Sequence, residues 1–433
     1  MTLFKIFAIS LCTVTFLYGC SAYQSTRDIA QSKATTKIDV INRYADIALA
    51  TYTDSFNSAK SLHTAIEILI SKPNKNTLES AKQAWLTARI PYMQTEVFRF
   101  GNSIVDDWEG KVNAWPLDEG LIDYVDSSYG SESEDNPLYT ANVIANESFK
   151  LSGNTVDASL ITKELLSEVL HEIDGVEANV GTGYHAIEFL LWGQDLNGTN
   201  AGAGNRSAAD FDTSNCANNN CQRRADYLIT ASALMLDDLS WMVNQWQIDG
   251  EARTTLLENE TAGVSSILTG MGSLSYGEMA GERIKLGVLL HDPEEEQDCF
   301  SDNTHNSHYY NIQGIKNVYT GSYTSISGTK TSGPSVSDLV NSIDKTADTE
   351  LLAQIDNSLA AAKVLVDSAE QDGIFYDQLL AEGNSTGNAK IMNVVNALLQ
   401  QTKGIEKAVN VLGIQKLEIL DSDSLNSPSS VFQ

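Results

Sequence analysis

From residue 41 onward the apolar side chains recur at three- and four-residue steps: Ile41, Tyr44, Ile47, Ala48, Tyr52 and Phe56. That spacing places them on one helical face and excludes a strand, whose faces alternate every second residue. The pattern runs to about Ile70 and stops before Pro73. A second helical stretch runs from Leu78 to about Phe100, and Pro91 inside it must kink the helix or start a new one. Helical patterns return at 159–172 and 183–192. Beyond a loop rich in Gly, Asn, Ala and Ser at 196–220, Tyr227, Ala231, Leu234, Met235, Leu239, Met242 and Trp246 mark an amphipathic helix. Further helices are expected at about 260–290, 337–372 and 388–412, with polar irregular segments at 101–155 and 291–335. Strand signals are weak and confined to 317–326. The expected class is all-α, in two helical-bundle-like lobes: 38–195 and 221–415, joined by the loop 196–220 and followed by a tail, 416–433.

Met1 to Lys5 carries one positive charge, and Ile6 to Leu17 is an apolar run too short to span a bilayer but suited to a signal-peptide core. It ends in Leu17-Tyr18-Gly19-Cys20, which resembles the bacterial lipobox, so residues 1–19 are read as a lipoprotein signal, Cys20 as the lipidated residue and 20–37 as a tether. The alternative is an ordinary cleaved signal with a coincidental cysteine. Ser21, where aspartate would mark inner-membrane retention, favours an outer-membrane address, facing the periplasm or the surface. The expected membrane contact is through the lipid alone. A net charge of −29 repels nucleic acid and anionic lipid and favours cations, so nucleic-acid binding is excluded. Cys216 and Cys221 flank a Gly/Asn/Ser-rich loop, and in an oxidising compartment a local disulfide is the simplest pairing, leaving Cys299 free.

Three constellations carry candidate chemistry. In Gly183-Tyr184-His185-Ala186-Ile187-Glu188, His185 and Glu188 share a helix face and could supply two metal ligands, the third coming from elsewhere. An isolated pair of this kind is more often a surface contact. Here Phe189, Leu190, Leu191 and Trp192 follow directly, so both polar groups are expected inside, where they need partners. Trp85, Arg89, Tyr92, Glu96 and Arg99 also share one face, which could meet solvent or a polar cleft, and Trp115 to Glu119 adds an aromatic-acidic patch that includes Asp118. The third region runs from Gly277 through Glu278 and Arg283 to the acidic, His-bearing stretch His291–Tyr310. There Cys299, Phe300, Tyr309 and Tyr310 argue against a purely solvated loop.

The Gly183–Glu188 sequence, the segment Ala84–Phe100, the run Asp292–His305 and Gly314–Tyr319 together resemble the imelysin-like family and, within it, the iron-regulated protein A branch. The resemblance covers roughly 40–415. It implies an all-α fold with the site in the cleft between two lobes, an envelope location and a link to iron acquisition. The family's name comes from a proposed metallopeptidase activity. Carried over, the resemblance implies His185 and Glu188 as metal ligands with Glu96 as partner, and Arg89 beside them, orienting a carboxylate or meeting an anionic chelator. Gly183, Tyr92, Asp118, Glu278 and Arg283 are the further candidates for binding or orientation. Gln297 stands where the family pattern has histidine, which weakens a ligand role there.

A zinc peptidase commonly places two histidines and a glutamate base on one helix as HExxH. Here His171-Glu172 is followed by Gly175 at the position of the second histidine, and Glu188 is followed by Phe189 rather than a histidine. The preferred expectation is therefore an envelope lipoprotein that binds iron, or an iron chelate, for uptake, with an envelope transport partner to receive it. The alternatives are a zinc metallopeptidase using the His185/Glu188 pair and a non-catalytic envelope scaffold.

Overall fold

In the computed structural model the described residues are 34–432, except 152 and 416. The signal, Cys20 and most of the tether lie outside them. Helix α1 (Lys37–Ser71) opens with a capping box in which Thr36 and Asp39 satisfy each other's backbone amides, and it buries the stripe from Ile41 through Tyr52 to Leu69. Helix α2 (Lys75–Met93) carries Pro91 in its last turn. The chain leaves the α-helix two residues later and makes a short 3₁₀ turn at Glu96–Phe98, so the helix expected to reach Phe100 ends at Met93.

Both segments expected to be irregular contain helices. Helix α3 (Ser103–Asn113) buries Val105, Trp108, Glu109, Val112 and Asn113, a helical spacing disguised by two polar members. A hairpin of β1 (Ser148–Leu151) and β2 (Asn154–Asp157) follows. The expected helix at 159–172 contains a π-helical stretch at Leu165–Leu170, and α4 spans Gly183–Trp192. Helix α5 (Cys221–Gln245) packs along α1 and against α4, so the bundle formed by α1 to α4 takes in a helix from beyond the 196–220 loop. The boundary drawn at that loop therefore does not separate the packed helices.

Helices α6 (Glu251–Leu257) and α7 (Glu260–Ser273) lead into a π-helical segment, Leu274–Lys285, and α8 (Leu286–Leu290). Helix α9 (Thr304–Thr320) was hidden from periodicity because its buried face includes His305, Ser307, His308 and Asn311. A second hairpin joins β3 (Ser322–Thr324) to β4 (Lys330–Ser332). Helices α10 (Val336–Ile343), α11 (Lys345–Glu370), α12 (Tyr376–Leu380) and α13 (Ser385–Val411) complete the second bundle, in which α11 packs on α13 and α9, and α13 on the π segment. Helix α9 also lies against α2, which makes it the seam between the bundles. One continuous apolar core runs through both, and Tyr44, Tyr52, Phe98 and Trp246 interlock within it. Among the described residues no helix is long and apolar enough to cross a membrane.

Candidate metal centre

Helix α4 starts where the backbone permits only glycine. Gly183 has φ +79°, and a Cβ there would lie 2.5 Å from the carbonyl oxygen of Val112. The Thr182 hydroxyl donates to the Lys111 carbonyl at 2.9 Å, and the Trp85 indole donates to the Tyr184 carbonyl at 2.9 Å, so α3 and α2 both grip the helix start. Every residue of α4 is buried. His185 and Glu188 consequently face protein on all sides, at 1% and 0% exposure.

Asp298, from the loop before α9 and itself 0% exposed, joins them. One ligand atom from each of these three residues lies within 4.8 Å of the others. His185 Nδ1 and Glu188 Oε2 are 3.0 Å apart. Glu188 Oε1 accepts from the Ser301 amide at 3.0 Å and its hydroxyl at 2.6 Å. Asp298 Oδ1 accepts from Arg89 Nη2 at 2.6 Å, while Oδ2 accepts from Asn303 at 2.8 Å and from the Ser307 hydroxyl. Arg89 spends its other arm on Asn113 Oδ1, at 2.6 Å, and its guanidinium lies over the Trp85, Tyr92 and Tyr184 rings. Arg89 thus orients a carboxylate, and that carboxylate is Asp298.

Burial, and secondarily Arg89, pushes His185 down to about 3, so its imidazole is neutral. Burial and then the neighbouring Asp298 raise Glu188 well above the ordinary carboxylate range, against the hydrogen bonds from Ser301. Burial alone would raise Asp298 too, but Arg89 and the bonds from Ser307 and Asn303 hold it below its usual value. The group therefore holds an ionised aspartate, a neutral imidazole and a glutamate of high proton affinity. His185 Nε2 is buried without a hydrogen-bond partner. In the tautomer in which Nδ1–H donates to Glu188, Nε2 presents a bare lone pair, the arrangement in which a carboxylate orients a metal-ligating histidine. A nitrogen donor and two carboxylates fit a first-row metal ion.

Glu96, expected as the third ligand, takes a different place. It accepts from Arg283 Nη2 at 2.7 Å in a buried cluster where Arg283 also binds Glu278 and where Arg99 meets Glu278 and Glu109. Opposite charge captures it: two arginines on adjacent elements compensate Glu96, Glu109 and Glu278, whereas Asp298 fills the position next to His185. Glu278 and Arg283 face each other because the π segment, with its i→i+5 winding, returns residues five apart to one side. Arg283 also donates to Gln297 at 3.3 Å, which ties this cluster to the residue before Asp298. Tyr92 is buried against Tyr184 with its hydroxyl unpartnered. Asp118 belongs to another cluster, accepting from Asn136 at 2.6 Å. Cys216 and Cys221 are joined by a disulfide, and Cys299 is a free thiol. Sequence reasoning missed Asp298, Ser301, Asn303 and Ser307 as members of the centre. The available signal was position 298 directly before Cys299-Phe300, the point at which the acidic run turns apolar.

The family model described as Imelysin matches residues 48–405. Iron-regulated protein A of Synechococcus elongatus is 31% identical over 93 residues, a match spanning 21% of this chain and 26% of that protein's length. Two solved structures share the fold. One, from Parabacteroides distasonis and assigned as an iron-regulated protein A precursor, has a TM-score of 0.62 at 19% identity, covering 88% of this chain and 97% of that one. The other, an imelysin-like protein from Psychrobacter arcticum, has a TM-score of 0.58 at 15% identity, covering 88% and 98%.

Proposed function

Because this chain belongs to the imelysin family, we propose that its buried His185–Glu188–Asp298 group binds iron as cargo in the cell envelope, the chain being held there by lipid on Cys20. The observation that carries this reading is a buried imidazole with an unpartnered Nε2, grouped with two buried carboxylates so that one ligand atom of each residue lies within 4.8 Å of the others. An imidazole lone pair left without a donor is a cost that a cation removes. The donor set, one nitrogen and two oxygens without thiolate, suits iron better than a structural zinc site. The name of the Synechococcus relative agrees with this choice of ion.

Binding is favoured over peptide hydrolysis by burial. A hydrolytic zinc site keeps an open position for water and substrate, whereas these three side chains are at most 1% exposed. The approach to the centre is indirect: a cavity of about 250 Å³ is lined by Arg89, Asn303, Ser307 and Glu370, and the first three of these hold Asp298. Arg89, Asn303 and Ser307 would therefore sense a ligand in that cavity and pass its effect to the aspartate. The test is elemental analysis of the protein purified from its native envelope. Iron at about one equivalent per chain, absent from a His185→Ala variant, is the expected result. Zinc in its place, with chelator-sensitive peptide turnover, would overturn the reading.

A further inference from the structure

On the other side of the Glu296–Phe300 segment lies a second, smaller enclosure. Its free volume is about 10 Å³, and Asp195, Glu294, Glu296, Cys299 and Asp377 line it. That volume is about what one water molecule or one ion occupies. Three separate stretches of chain converge on it: the turn after α4, the 3₁₀ turn Pro293–Glu295 with the residues following it, and the start of α12.

Glu296 and Asp377 are 1% and 2% exposed. All four of their carboxylate oxygens are buried without a hydrogen-bond partner. The Thr304 hydroxyl lies near Glu296, and the amides of Asp377 and Gln378 lie near the Asp377 carboxylate, but none closes a hydrogen bond. Among the described residues, no lysine or arginine pairs with Asp195, Glu294, Glu296, Asp302 or Asp377. Other buried carboxylates in this interior are met by arginines or by hydrogen-bond donors, as Asp298 is by Arg89, Glu96 by Arg283 and Glu188 by Ser301. Burying carboxylates without a donor or a countercharge is costly.

We propose that this enclosure is a second cation site, in which Glu296 and Asp377, with Asp195 and Glu294 at its rim, bind one hard divalent cation of the calcium, magnesium or manganese class. The donors are carboxylate oxygens, which select such ions. Cys299 is the one soft donor in the lining, against the four carboxylates of Asp195, Glu294, Glu296 and Asp377. The oxygens stand farther apart than those of the first centre, since only His185, Glu188 and Asp298 form a three-residue group within 4.8 Å among the described residues. The cation therefore draws the three stretches together. This site is independent of the proposed iron centre.

The experiment uses the folded chain and Mn²⁺ as probe, with free ion counted by electron paramagnetic resonance. A His185→Ala background removes the first centre. That variant is expected to bind one Mn²⁺, and adding E296Q with D377N is expected to weaken binding at least about tenfold. Thermal melting provides a second readout. Mn²⁺ should raise the melting temperature of the His185→Ala protein and leave that of the added variants, including D377N alone, unchanged. Equal Mn²⁺ binding or an equal thermal shift in both backgrounds would overturn the site. So would the absence of any Mn²⁺ binding to the His185→Ala protein, which would leave protonated carboxylates and a water as the contents of the enclosure.

Discussion

Gly183 occupies a backbone region closed to other residues, with the Val112 carbonyl where a Cβ would stand. Gly183→Ala should cost about 1–3 kcal/mol, read as a lower urea midpoint, and should loosen His185 with it; an unchanged midpoint would show that the helix start yields freely. The glycine, His185 and Glu188 were legible because all three sit within six residues and are followed by an unbroken apolar run. Asp298 was not legible as a member of this buried group. It is one of many acids in its stretch, and what distinguishes it is contact with Arg89, which lies in a distant helix. Glu96 misled for the converse reason. Its spacing from Arg89 and Tyr92 assumed a helix continuing past Met93, and the chain instead turns there and delivers Glu96 to Arg283.

At the scale of elements, the loop 196–220 is secured by a buried charge network. Asp123 takes both Nε and Nη2 of Arg224, at 2.6 and 2.9 Å, and Arg206 at 2.8 Å, while Asp210 accepts from Arg206 at 3.3 Å. Asp123→Ala would leave two buried arginines sharing one remaining aspartate and should destabilise by about 3–5 kcal/mol in urea unfolding. A loss below about 1 kcal/mol would mean that water replaces the carboxylate. Composition identified this stretch as a loop, but its ordering was not legible, because Asp123 lies far back in the chain. Helices α3 and α9 were lost for a related reason. They bury Glu109, Asn113, His305 and His308, so their inward faces carry the polar groups that surround the centre and do not register as apolar periodicity. The helical class and the long helices α1, α5, α11 and α13 were legible because their inward faces are mostly apolar, with polar members such as Ser55, Arg224, Asp348 and Gln401 too few to break the period.

For the molecule as a whole, the two bundles were foreseen but the membership of α5 was not, since its packing on α1 depends on faces far apart in sequence. The same burial that hides the polar groups makes stability depend on pH. Glu109 and Glu119 are pushed up to about 7, chiefly by burial. A carboxylate raised in the folded state stabilises fully below its unfolded value, about 4.3, and that contribution is lost as pH rises through about 7. Asp298, Asp123 and Glu278 are held below their usual values, and their contribution is lost only on the acid side. The buried histidines His185, His305 and His308, pushed down to about 3, 4 and 3, cost stability only below their unfolded value, about 6.5. Above it, with a net charge of −29 adding repulsion as pH rises, the melting temperature should be higher at about pH 7 than at about pH 8.5; the reverse order would contradict the assignment of these buried acids. In the proposed centre iron is held by His185, Glu188 and Asp298, with Glu96 outside the set. Anaerobic titration with Fe²⁺ of the wild type, Asp298→Asn and Glu96→Gln separates these two carboxylates. Asp298→Asn should lose one equivalent of iron, or weaken it at least about tenfold, while Glu96→Gln keeps it. Wild-type iron binding in Asp298→Asn, or its loss in Glu96→Gln alone, would contradict the assignment.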